Sequence, residues 1–104
     1  MKTFAERLAE DRRLVILRLL QSVAGYEANE SVVAMAVRDF GHACSRDTIR
    51  IDFAWLTEQG LVTLEEIATV QIATLTQRGV ETALGIVVTP GVARPSPGSP
   101  GSGF

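Results

Sequence analysis

From Gly41 to Gly60 the chain reads GHACSRDTIRIDFAWLTEQG, and a strand-like Leu61-Val62-Thr63-Leu64 follows at once. Gly41 tolerates the left-handed backbone that ends one helix, and Gly60 does the same for the next. Ser45 is a good N-cap, and Asp47 in the first turn meets the positive end of the helix dipole. Ile49, Phe53 and Leu56 recur at i, i+4 and i+7, so one stripe of this helix faces a core. The fold must therefore accommodate a sharply bounded helix that runs straight into a pair of strands.

The rest of the chain can be placed around that stretch. Residues 3–23 read as a first helix, with Thr3 as N-cap and Glu6 at capping-box spacing. Ala5, Leu8, Ala9, Arg12, Val15, Ile16, Leu19, Leu20 and Val23 share its broad face, while Leu14 and Leu17 fall outside it. A helix apolar on nearly all sides is buried twice. Either later elements wrap Leu14 and Leu17, or the pair meets a second copy of the chain and makes a homodimer. Gly25 closes this helix, 26–29 is a connection, and Asn29 or Ser31 caps a second helix to about Asp39. After the helix at 45–58, the runs 61–66 and 69–76 have strand character and form a hairpin joined near Ile67-Ala68, although no Asn-Gly turn marks it. Thr76 caps a short fourth helix, 77–84. From Thr89 the composition turns to Pro, Gly and Ser, which bury too little apolar surface to offset their ordering entropy. The expectation is one domain at 1–86 and a flexible, disordered tail at 87–104. The order α-α-α-β-β-α, mainly helical with one small hairpin, is that of a winged helix-turn-helix.

Composition bounds the function. At 104 residues with 46% hydrophobic and 21% charged side chains, the chain is sized for one globular domain. No run approaches the roughly 20 apolar residues of a membrane span. Glu6, Arg7, Glu10, Asp11, Arg12 and Arg13 in the first turns argue against a secretory leader, so the cytoplasm is the expected compartment. The formal charge of -2 and pI near 5.3 weigh against heavy phosphate binding, though a local basic patch can suffice.

Enzymatic readings find no site. His42 and Cys44 are single representatives of their kinds, so neither a catalytic Cys–His–acid set nor a closed metal site can be assembled, even with Asp39 nearby. No metal or other cofactor is expected. Glu65 and Glu66 are adjacent on a strand and point to opposite faces, which rules them out as an acid/base pair. What remains is the helix at 45–58 as a groove reader. With Ile49 centred on the core, Arg46 lies about 60° and Arg50 about 100° round the helix, on one exposed flank. Arginine is suited to bidentate contact with guanine edges and phosphates. Ser45 and Thr48 can add phosphate contacts, and Arg38 and Arg78 can extend the patch. Against this, Asp47 and Glu58 occupy the outermost face, and Ile51 with Trp55 point outward at i, i+4 as an anchor for a protein does. Trp55 is alternatively covered by the first helix or the tail.

The series Ala9-Glu10-Asp11-Arg12-Arg13-Leu14-Val15-Ile16-Leu17-Arg18-Leu19-Leu20, together with Ser45-Arg46-Asp47, Ala54-Trp55-Leu56, Glu58-Gln59-Gly60-Leu61-Val62-Thr63 and Ala73-Thr74-Leu75-Thr76-Gln77-Arg78-Gly79, resembles a small protein of Mu-like phages and prophages. The resemblance runs to about Pro97. It implies a likeness to arsenic-repressor-class winged-helix transcriptional regulators, whose metal-sensing cysteine cluster this chain lacks. Two functions are therefore expected in competition. One is a double-stranded DNA-binding regulator reading the major groove with 45–58. The other is an adaptor in phage assembly or DNA packaging that docks another phage protein through Ile51 and Trp55.

Overall fold

The computed structural model describes residues 1–96. In chain order it contains α1 (Phe4–Ser22), a 3-10 turn at Ala24–Tyr26, β1 (Glu27–Asn29), α2 (Glu30–Arg38), α3 (Arg46–Glu58), β2 (Val62–Ile67), β3 (Val70–Leu75) and α4 (Gln77–Ala83). The domain is α+β, with an antiparallel three-stranded sheet in the order β1-β3-β2.

Four side-chain caps set the helix starts. Thr3, Asn29, Ser45 and Thr76 accept hydrogen bonds from the backbone N–H of Glu6, Val32, Thr48 and Gly79. Each satisfies an N–H that the helix itself leaves without a partner. The choice of Asn29 over Ser31 makes Glu30 the first residue of α2.

Strand β1 lies in the stretch that sequence reading assigns to a connection. It pairs Glu27, Ala28 and Asn29 with Thr74, Ala73 and Ile72 of β3. Three residues are too few to display a period-2 alternation. The β2–β3 hairpin closes at Ile67↔Val70, so its loop is Ala68-Thr69. Both residues have positive φ (50° and 67°), the twist that a two-residue hairpin loop favours, taken here by side chains that rarely adopt it.

One core holds these elements together. Ile16, Leu17 and Leu20 of α1, Val33 and Val37 of α2, Ile49, Phe53 and Leu56 of α3, and Leu61 and Ala73 of the sheet region are fully buried. Leu14 and Leu17 belong to the same cluster, as do Ala83 of α4 and Val92 beyond it. Of the two readings of that pair, wrapping by later elements is the one the packing supports. Helix α1 runs through the centre, packed against α2, β3 and α4, and the chain itself covers what a second copy was expected to cover.

Ordered packing also continues past residue 86, the boundary expected from composition. Thr89 and Val92 are buried. The Thr89 hydroxyl meets that of Thr82 at 3.0 Å, and the Ala93 N–H donates to the Glu10 carbonyl of α1 at 3.1 Å. A few apolar and hydroxyl groups of 87–96 thus lie against α1 and α4. The remainder of the expected tail, 97–104, lies outside the described residues.

Gly91 is where this strap comes closest to α3. Its φ is +95°, and a Cβ there would run into the six-membered ring of Trp55. Gly91→Ala should cost about 1–3 kcal/mol in urea unfolding, as overpacking and a left-handed alanine both do. Trp55 is the sole tryptophan, so a red-shifted emission in the variant would report that the strap has lifted, and unchanged stability and emission would contradict the packing.

Candidate functional site

The N-terminal half of α3, the start of α2 and the tip of the hairpin converge on Glu30. Its carboxylate, carried by α2, is 1% exposed and is surrounded by donors from α3 and β3. Arg46 donates Nε–H (3.0 Å) and Nη2–H (2.5 Å) to Oε1. Arg50 donates Nε–H to both oxygens, at 3.0 and 2.9 Å, and the Gln71 backbone N–H reaches Oε2 at 2.9 Å. Arg50 also donates Nη2–H to the Thr69 carbonyl at 2.5 Å, which fixes the positive-φ loop. Burial pushes the Glu30 carboxyl up, but the hydrogen bonds from Arg50, Gln71 and Arg46 outweigh it and hold the pKa at about 2. The two arginines remain partly open, with side chains 52% and 35% exposed. Together with Asp47 and Thr69 they line a shallow surface depression over the carboxylate.

The other residues expected at the interface sit as follows. Ser45 is exposed and its hydroxyl is occupied as the cap, accepting from Thr48 N–H and facing the Thr48 hydroxyl at 3.3 Å. Arg38 is exposed at the far end of α2, about 12 Å along the axis from Glu30. Arg78 is exposed on α4, beyond the end of β3 away from the hairpin tip, about 17 Å along that strand. The structure thus brings Arg46 and Arg50 together and leaves Arg38 and Arg78 apart from them. Exposed acids lie near the arginines: Asp47 lines the same depression, and Glu66 of β2 with Asp47 acts electrostatically on Arg50; Glu58 on α3 and Glu65 on β2 are exposed as well.

Ile51 and Trp55, expected to act as a pair, are separated by their surroundings. Ile51 is 68% exposed. Trp55 is half-buried, with the Arg13 guanidinium 4.1 Å above its ring, and Arg13 Nη1 donates to the Gly91 carbonyl at 2.8 Å. Both covers anticipated for Trp55, the first helix and the C-terminal segment, are present. On the same side of α3, buried Asp52 receives a forked pair from Arg12, at 2.5 Å from Nε and 3.0 Å from Nη2. His42 is buried in the α2–α3 turn, with Nε2 2.7 Å from Asp11, and the half-buried Cys44 thiol is raised by burial. Among the described residues no group of three or more His, Cys, Asp or Glu is arranged to hold a metal ion, and no helix is long and apolar enough to cross a membrane.

Glu30 is the member of this cluster that sequence reading missed. At the first position of a helix, a glutamate reads as a solvated acid favouring the dipole. Its depressed pKa carries a linkage consequence with a definite sign. The carboxyl is about 2 folded against an ordinary 4.5 unfolded, so its stabilisation is fully present above pH about 4.5 and is lost as pH falls towards 2. In Glu30→Gln that part of the acid sensitivity should vanish. Urea midpoints measured from pH 2 to 5 should rise steeply in the wild type and less steeply in the variant; parallel profiles would contradict the assignment.

No family model matches the chain. Over 90 residues it is 47% identical to "Uncharacterized protein gp26" of Escherichia phage Mu, covering 86% of this chain and 93% of that protein. Over 77 residues it is 46% identical to an "Uncharacterized protein" of Haemophilus influenzae, covering 73% of this chain and 74% of that one. With identity of this order along nearly the full length of the phage protein, the chain belongs to the family of phage Mu gp26.

Proposed function

We propose that this Mu-type phage protein is a winged helix-turn-helix regulator, akin to the arsenic-repressor class, that binds double-stranded DNA in the host cytoplasm. The element order supports the fold assignment: a helix, a short strand, two helices, a hairpin and a helix, with the first strand added to the hairpin's second. In such a domain α3 enters the major groove and the hairpin lies along the backbone beside it.

The observation that carries the reading is the Arg46/Arg50 pair. These guanidinium groups lie side by side at the start of an exposed helix, aimed by a carboxylate beneath them. Arginines whose planes are already fixed lose less freedom when they grip a guanine edge or a phosphate. Ser45 and Thr48 stand at the same helix end, and exposed Arg38 and Arg78 would add phosphate contacts only to a duplex that extends beyond the pair. Since the cationic contacts are few, affinity leans on groove contacts, and log K should fall against log salt with a slope no steeper than about -4. Arg46→Ala/Arg50→Ala should abolish the shift of phage-genome fragments in a low-salt gel assay. A wild type that retards no duplex at about 25 mM salt removes the proposal.

A second reading is favoured by the exposed acids. Asp47 and Glu58 share the outer face of α3 with exposed Ile51, and negative charge beside an apolar anchor suits a basic protein surface better than a phosphate backbone. In that case the chain is an adaptor in phage assembly or packaging, anchored by Ile51 without Trp55. Ile51→Glu should then abolish co-purification with a phage partner and leave the urea midpoint unchanged, whereas under the DNA reading the arginine double variant carries the loss.

A further inference from the structure

The arrangement around Glu30 assigns a role to the carboxylate itself, and this inference rests on the DNA-binding reading above. Each arginine spends its inner edge internally: Arg46 uses Nε–H and an Nη2–H on Glu30, while Arg50 uses Nε–H on Glu30 and an Nη2–H on Thr69. The Nη1 end of each guanidinium is left for a ligand. The pair is therefore directed but electrically discounted, because two positive charges sit over one buried negative charge. Affinity for duplex of arbitrary sequence grows with the number of phosphates neutralised. Reading a base edge depends instead on holding the guanidinium plane at a set angle.

We propose that Glu30 is a positioning residue that exchanges non-specific for specific DNA affinity: it aims Arg46 and Arg50 at the groove while cancelling part of their attraction for any phosphate backbone. The Gln71 N–H and Thr69 carbonyl contacts extend the effect to the hairpin, so one buried acid sets the geometry of both DNA-facing elements. The residue itself never touches DNA.

The test is a charge series on the full chain. Counting Arg46, Arg50 and residue 30 alone, with Asp47 constant throughout, Glu30→Gln stands at +2, the wild type at +1 and Arg46→Gln at 0. Binding of a fluorescent random-sequence duplex is followed by anisotropy over a salt series, with thermal unfolding recorded alongside. The expected result is that Glu30→Gln binds random duplex several-fold tighter with a salt slope steeper by about 1, and Arg46→Gln binds more weakly with a slope shallower by about 1. In a selection on phage-genome fragments, Glu30→Gln should also enrich less sharply than the wild type. Tighter binding by a variant that melts earlier is a pattern no merely structural role produces. Weaker binding by Glu30→Gln with unchanged slope, or equal slopes across the series, overturns the inference while leaving the DNA reading standing. If neither wild type nor variants bind any duplex, the DNA reading fails and takes this inference with it. Should Glu30→Gln fail to fold, Glu30→Asp keeps the charge but shortens its reach to both arginines: its salt slope on random duplex should stay at the wild-type value while its enrichment on phage-genome fragments falls, and unchanged enrichment overturns the inference.

Discussion

A carboxylate removed from water loses its hydration, and an uncompensated buried charge typically costs several kcal/mol. Glu30 is almost wholly buried, and this obligation organises the surface half of the domain. Its two oxygens are met by Arg46 and Arg50 from α3 and by the backbone of β3. None of these donors can be moved without leaving the acid short. The demand fixes where α2 begins relative to α3, and how far the hairpin tip folds down on both. It also stabilises Ala68-Thr69, whose left-handed backbone is unfavourable for residues bearing a Cβ. A contact from Arg50 to the Thr69 carbonyl holds that loop from below.

The far side of α3 is held by a second set of contacts of the same kind. Asp52 is buried and takes a forked contact from Arg12, while Arg13 caps the Trp55 ring and ties down Gly91. Consecutive arginines of α1 therefore anchor α3 and the C-terminal strap. With Ile49, Phe53 and Leu56 in the core, three sides of α3 are committed to internal partners. Breaking one member of a buried pair costs about 3–5 kcal/mol, so the helix has little freedom to roll. The face it presents, running from Arg46 through Asp47 and Ile51 to Glu58, is consequently a fixed surface.

Local signals account for what the sequence made legible. The caps at Thr3, Ser45 and Thr76, the glycine stop at Gly60 and the 3.6-residue stripe of Ile49, Phe53 and Leu56 are all written within a few residues of where they act, and helices and hairpin follow from them. The features that escaped are non-local. Glu30 meets partners 16, 20 and 41 residues away, and nothing beside it in the chain marks it as buried. Strand β1 exists because β3 offers it an edge. Trp55 looks outward on a helical wheel, and only the return of Gly91 and the reach of Arg13 decide otherwise. The boundary at 86 was drawn on composition, which cannot register that Val92 and Thr89 find places on a helix already built.

These same contacts change how the charge balance is to be read. Of the ten Lys and Arg residues, Lys2, Arg12, Arg13, Arg46 and Arg50 are engaged with Glu10, Asp52, Trp55, Gly91 and Glu30 inside the domain. A total of -2 treats every charge as equally available to a partner, and in this fold they are not. Arg12 faces a buried acid and leaves only 13% of its side chain exposed, whereas Arg46 faces a buried acid and still offers half of its surface. The capacity of the α3 surface for an anionic partner is therefore set by which guanidinium edges remain after the internal contacts are satisfied. By that measure Arg46 and Arg50 form one weak, well-aimed cationic site beside a row of exposed acids. A partner of such a surface would have to be chosen chiefly by geometry, because the net electrostatic attraction on offer is small.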